Sequence, residues 1–232
     1  MLVTQEQQET GFSMPKPVEE QIGILRNLSL VGTCEGINGK SIPRGADGFF
    51  VIPRWELVAS KYHTAVRHVL ALIKKTRDGK FYNYREDEIG PLTIRCSKKT
   101  DNAFRALAEQ QAGCDLLVVA CQFGSHYRDY AVDRVLSNLR PNEFGLDAFS
   151  VGIMLLTHPE RLMSPINLWI DCPGGEFVVD EEVSEEKPTN DRDFNHAPLY
   201  RYCEEDKIIA FGAGHIEHRS EKSGSATGFL VS

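Results

Sequence analysis

Seven consecutive positions, Gln122-Phe123-Gly124-Ser125-His126-Tyr127-Arg128, set a histidine, an arginine, a hydroxyl and a glycine directly after an apolar run. The His126 imidazole can serve as a general acid or base, and the Arg128 guanidinium can clamp an anion. Gly124 permits close approach of the main chain to a ligand, and Gln122 and Ser125 complete a ligand-binding set. The chemistry this implies is hydrolysis or group transfer on an anionic, phosphorylated small molecule. The competing explanation is structural: an exposed corner in which Asp129 caps the next helix.

A second group lies in LTHPERL and LWIDCPGGEF. His158 is a third catalytic candidate, and Asp171 and Glu176 are ligand-binding candidates, because two carboxylates about a glycine turn beside a histidine suit acid–base work or a hard cation. Ordinary roles exist here too. His158-Pro159-Glu160 reads as a helix end, Asp171 as a partner for turn amides and Glu176 as the start of a solvated edge. Nucleases place an acid-x-lysine after such an aspartate; here Phe177 and Val178 follow Glu176, so no metal is assigned.

Other patterns fail on spacing. Cys121 and Arg128 stand one position further apart than the cysteine-phosphatase loop allows, and Ala120 replaces the histidine before the cysteine. Gly212 and Gly214 invite a dinucleotide-binding reading, but Glu217 occupies the third glycine position and too little chain follows for a helix and strand. GSATG, residues 224–228, reads as a flexible connection. No cofactor is expected.

These candidates need elements to hold them. Asp115–Ala120 is a continuous apolar run, the pattern of a strand covered on both faces. Residues 54–75 show apolar positions at three- and four-residue spacing and predict one long helix, with cations at its C-terminal end. Leu92–Cys96 reads as a strand, Thr100–Gln111 as a helix capped by Thr100 or Asp101, and Tyr130–Leu139 as another helix. Strand, helix, strand, helix in that order predicts a crossover unit with parallel pairing. FGLDAFSVGIMLL is apolar nearly all round, as a buried helix would be, and Leu168–Asp171 reads as a further strand. LYRYC, KIIAFG and TGFLV predict short antiparallel strands, the first two joined by a hairpin. The class expected is α/β, or mixed α+β, with a central mixed sheet, helices packed on it and a β-rich C-terminal part.

At 232 residues, 41% hydrophobic and 25% charged, the chain can bury one substantial core. Residues 1–20 read as a flexible polar arm and 21–232 as one globular domain. Residues 180–193 carry seven acids against Lys187 and Arg192, which is −5 of the chain's −7, and read as an acidic insertion. No basic stripe interleaved with aromatics appears, so nucleic acid is not an expected partner. No stretch reaches the length of a membrane span, so no membrane partner is expected. Six singly spaced cysteines and the absence of a secretory pattern in the first 21 residues point to the cytoplasm.

VVACQFGSHYRDYAV, EFGLDAFSVGIMLLTHPERL and LWIDCPGGEF together resemble uncharacterised proteins of bacterial genomic islands and conjugative or prophage elements. The resemblance implies a bacterial accessory protein and attaches no activity. Two functional expectations follow. One is a non-enzymatic module binding a protein or a small ligand, with the 180–193 segment touching a basic partner. The other is the hydrolase or transferase built on His126 and Arg128.

Overall fold

Strand β4 (Leu116–Gln122) is buried at every position, as its uninterrupted apolar run requires. In the computed structural model, which describes residues 14–34, 41–179 and 194–231, β4 is flanked by β1 (Gly48–Pro53) and β11 (Thr227–Phe229), both antiparallel to it. Strand β5 (Glu143–Gly145) adds to β11 and completes a four-stranded sheet. Gln122 ends β4 at the sheet rim, so the Phe123–Arg128 segment begins where the sequence places it.

A second, seven-stranded sheet holds most of the C-terminal part. Its centre is the hairpin of β8 (His196–Cys203) and β9 (Ile208–His215). Strand β2 (Phe81–Asn83) runs parallel to β9, while β6 (Trp169–Asp171) and β7 (Gly175–Phe177) pair with β8. Strand β10 (Ser223–Ser225) runs parallel to β6, and β3 (Ile94–Cys96) closes the edge beside β7.

Between the sheets lies α6 (Ala148–Thr157), buried at all ten positions. A helix apolar on every side can only be stable when it is enclosed. Each large apolar side chain it buries, from Phe149 to Leu156, contributes about 1.5–3 kcal/mol relative to exposure. The helix packs on β1 and on two helices, α1 (Val18–Asn27) and α3 (Tyr62–Thr76). Gly152 permits a close approach to α3 and to the second sheet, since a Cβ there would lie 2.5 Å from Val69 and 2.7 Å from the Tyr200 hydroxyl oxygen. That hydroxyl donates to the Ala148 carbonyl at 2.8 Å, tying the second sheet to the helix.

The class is mixed α+β, helices packed on mixed sheets, with a strand-rich C-terminal part. Within it, several local expectations are corrected. The crossover with parallel pairing does not form: β3 and β4 belong to different sheets, and both pair antiparallel. The long helix predicted over 54–75 breaks into α2 (Trp55–Val58) and α3, because Ala59 is extended; the Trp55 and Tyr62 rings meet edge-on at 6.0 Å across the break. Helix α4 (Lys98–Gln110) starts earlier than predicted, capped by Ser97, whose side chain accepts from the Thr100 amide. GSATG is not a flexible connection; it runs through the buried β10 and β11. Of the predicted arm, residues 1–13 lie outside the described residues, and within its described part Val18 already begins α1. The 180–193 insertion also lies outside the described residues. No helix among the described residues is long and apolar enough to cross a membrane.

Candidate functional site

The loop after β4 is held from beneath by Gln122, which is fully buried. Its side-chain amide donates to the Ser225 carbonyl at 2.8 Å and to Thr227 Oγ1 at 3.0 Å, and its Oε1 accepts from the Gly124 amide at 2.5 Å and the His126 amide at 3.4 Å. All its capacity faces the protein, so Gln122 is a staple and not a ligand group. Gly124 (φ +108°) crosses the backbone of Gly224 so closely that a Cβ would sit 2.5 Å from the Gly224 carbonyl oxygen. The close approach inferred for Gly124 is therefore to another strand.

Ser125–Tyr127 then form a short 3₁₀ turn. Tyr127 points inward and donates from its hydroxyl to the buried Glu143 at 3.0 Å. Burial and that carboxylate push the Tyr127 hydroxyl up to about 12. His126 is exposed with its ring edge-on to Tyr127 at 4.8 Å; among the described residues no side-chain hydrogen bond orients it. Arg128 is exposed, and its main chain bridges to Gly224.

Asp129 does not cap a helix. It takes a left-handed conformation (φ +65°), donates its amide to the Ser223 carbonyl at 3.0 Å, and turns its carboxylate to Arg219. Arg219 grips it through Nε at 2.9 Å and through Nη2, which holds the carboxyl below its ordinary range. Helix α5 (Val132–Asn138) starts three residues later. Around this pair opens a hollow of about 700 Å³ lined by Arg128, Asp129, Tyr130, Asp133, Arg134, Glu217 and Arg219. The Arg134 and Arg219 side chains are 76% and 68% exposed, so the guanidiniums around the hollow are largely solvated.

His158 lies elsewhere and is fully buried. Its Nε2 accepts from the Lys16 main-chain amide at 2.9 Å, which puts the proton on Nδ1, facing Thr157 Oγ1 at 2.9 Å. Phe50 packs on the ring at 5.0 Å. Burial, reinforced by Lys16, lowers the imidazole to about 4. A neutral ring with both nitrogens occupied is a core element, and the catalytic role expected of His158 is not supported by its surroundings.

Asp171 and Glu176 part company as well. Asp171 is 8% exposed and raised to about 7 by burial, an effect partly offset by a hydrogen bond from Ser223. Glu176 pairs with Arg95 across the β3–β7 ladder. Of the candidate residues, His126 and Arg128 are exposed, and of these two only Arg128 lines the hollow. Among the described residues no three His, Cys, Asp or Glu side chains gather in metal-binding geometry.

Sequence reasoning missed two features. Arg161 is fully buried, donating from Nη2 to the Phe123 carbonyl at 3.0 Å, while Asp47 accepts from the Phe123 amide at 2.9 Å. The loop is thus clamped on both sides of one residue, Phe123, and no local pattern around Arg161 signals it. The second feature is a cleft of about 40 Å³ near the start of α6, room for a few waters, lined among others by Trp55, Cys96, Phe104 and Asp147. Asp147 caps α6, accepting from the Ser150 amide at 2.8 Å. Burial and this carboxylate push the Cys96 thiol far up, so it is not an activated nucleophile.

Comparison with protein-family models, curated proteins and solved structures found no match for this chain.

Proposed function

We propose that this chain is a non-enzymatic binding module that presents the hollow around Arg128, Tyr130, Arg134 and Arg219 to a protein partner. The observation that carries this reading is the exposure of the hollow. Transition-state stabilisation depends on a water-excluding pocket in which fixed charges act at low dielectric, and guanidiniums two-thirds or more exposed to solvent work against screening. Recognition between proteins tolerates such a setting. Arginine and tyrosine are the side chains that most often anchor interfaces, and Tyr130 is 51% exposed. The hollow sets three arginines against Asp129, Asp133 and Glu217, so it carries no net charge to attract a free anion. A polar surface patterned in both signs is better suited to the patterned face of another protein.

The setting proposed with this role is the bacterial cytoplasm, as an accessory protein of a mobile element. Among the described residues none of the six cysteines is joined in a disulfide, which accords with a reducing compartment. The rival reading, a hydrolase or transferase of an anionic small molecule, has His126 and Arg128 exposed, but among the described residues no side-chain hydrogen bond orients the imidazole.

Capture from a bacterial extract tests the two. The wild-type chain is expected to retain a partner that Tyr130→Ala and Arg134→Glu release while their melting temperatures stay unchanged. Equal capture by both variants rejects the hollow. Turnover of p-nitrophenyl phosphate that disappears in Arg128→Ala would establish the enzyme reading in its place.

A further inference from the structure

The second sheet has an outer face with its own chemistry. Side chains alternate along strands, and Phe81, Ile170, Tyr200, Ile209 and Phe211 point into the core. Their neighbours must therefore face away from it. Arg201 pairs with Ala210 of β9, which pairs with Tyr82 of β2; on the other side Trp169 stands one step from the Ile170–Tyr200 pair, next to Arg201.

These residues touch. The Arg201 guanidinium carbon lies 5.3 Å from the Trp169 ring centre and 5.1 Å from that of Tyr84, so the cation bridges two aromatic rings. Tyr84 meets Tyr82 edge-to-face at 4.7 Å. Ala210, beneath them, is completely covered, yet Tyr82 and Tyr84 are themselves 53% and 47% exposed. Beside the row, a Cβ on Gly212 would meet nothing within 4 Å, which leaves open space over the strand. The result is a row over Ala210 in which Trp169 of β6, Arg201 of β8, Tyr82 of β2 and Tyr84 just after β2 lie side by side, bordered by open space at Gly212.

Two exposed tyrosines beside a half-buried tryptophan suit ligands made of rings, and charge selects among them. The bordering segments 80–88 and 201–207 hold four cationic and six acidic side chains, an excess that repels a phosphodiester backbone. Arg201 makes no hydrogen bond or ion pair with the described residues, so its guanidinium N–H groups are available to hydroxyl oxygens. We propose that this face binds a neutral oligosaccharide. Its pyranose rings lay their C–H faces on Trp169, Tyr84 and Tyr82 while Arg201 donates to ring hydroxyls. The site is independent of the hollow at the β4 rim, and neither proposal requires the other.

Titration calorimetry with cellohexaose, chitohexaose and maltohexaose tests it, with oligothymidylate as the charged alternative. Saturable binding of at least one hexasaccharide is expected, weakened about fivefold or more in Tyr84→Ala and in Arg201→Ala. Tyr82→Phe should bind within twofold of wild type, because stacking does not use the hydroxyl. Tyr84 is half-exposed, so its variant should fold, and circular dichroism checks this. The proposal is overturned if none of the three sugars saturates at millimolar concentration, if Tyr84→Ala binds as well as wild type, or if oligothymidylate binds where the sugars do not.

Discussion

Arg161 and Phe123 are joined twice: the guanidinium donates to the Phe123 carbonyl at 3.0 Å, and its carbon lies 5.3 Å from the centre of the Phe123 ring. With Asp47 accepting the Phe123 amide, this pins the first residue after β4 and so sets where His126 and Arg128 emerge. The guanidinium is fully buried and its Nε has no hydrogen-bond partner among the described residues. Burial lowers Arg161 to about 10 and raises Asp47, and each partner's charge opposes the shift of the other.

Removing that cation should leave the Asp47 carboxyl and the Phe123 carbonyl uncompensated. Arg161→Met is expected to lower stability by about 2–4 kcal/mol, read as a fall in the urea midpoint at unchanged slope. Adding Asp47→Asn should recover part of the loss, because the two changes share one network. A single variant within 0.5 kcal/mol of wild type would refute the clamp.

Two glycines separate backbone strain from steric contact. Gly79 has φ +79° with nothing within 4 Å of a Cβ, whereas Gly124 has φ +108° and meets the Gly224 backbone at 2.5 Å. Gly79→Ala should cost about 1 kcal/mol, and Gly124→Ala at least 1–2 kcal/mol more. Similar midpoints for the two variants would show that β10 can move away from the loop.

His158 and Asp171 pull stability in opposite directions with pH. His158 is depressed from 6.5 to about 4, so the unfolded chain binds its proton first and stability is lost as pH falls from about 6.5 towards 4. Asp171 is raised from 3.8 to about 7, so its contribution is complete below 3.8 and is lost as pH rises towards 7. Each effect is on the order of 3–4 kcal/mol, and in wild type they largely cancel over that window. Urea midpoints measured from pH 4 to 7 should therefore rise with pH in Asp171→Asn and fall with pH in His158→Phe. Parallel profiles in both variants would contradict the opposition.

Thiol labelling reads the packing directly. Cys34, Cys96 and Cys203 are half-buried, while Cys114, Cys121 and Cys172 are buried. Mass spectrometry after brief alkylation of the native protein should show modification confined to the first three, with Cys96 slowest because its thiol is held far up by burial and Asp147. Denaturation should expose all six. Rapid native labelling of Cys121 would mean that β4 is not enclosed.

Local pattern was sufficient wherever one element's own surface carries the information. The unbroken apolar run of β4, the amphipathic spacing of α3, the all-round apolarity of α6 and the polar turn between β8 and β9 each state how much of an element must be hidden, and the fold hides that much. Pairing is different, because a strand's partner may stand a hundred residues away and leaves no mark at short range. Thus Leu92–Cys96 and Asp115–Ala120 read as one parallel unit, yet their strands entered separate sheets once β7 claimed the first and β1 and β11 the second. Ser223–Ala226 is too rich in small residues to read as core, and is core because Gln122 and Gly124 close over it. The candidate site divides along the same line. That His126 and Arg128 follow a strand end was legible locally, whereas the burial of His158 and the Arg161 clamp depend on chain segments meeting across the fold, where desolvation and hydrogen bonding give each residue its role.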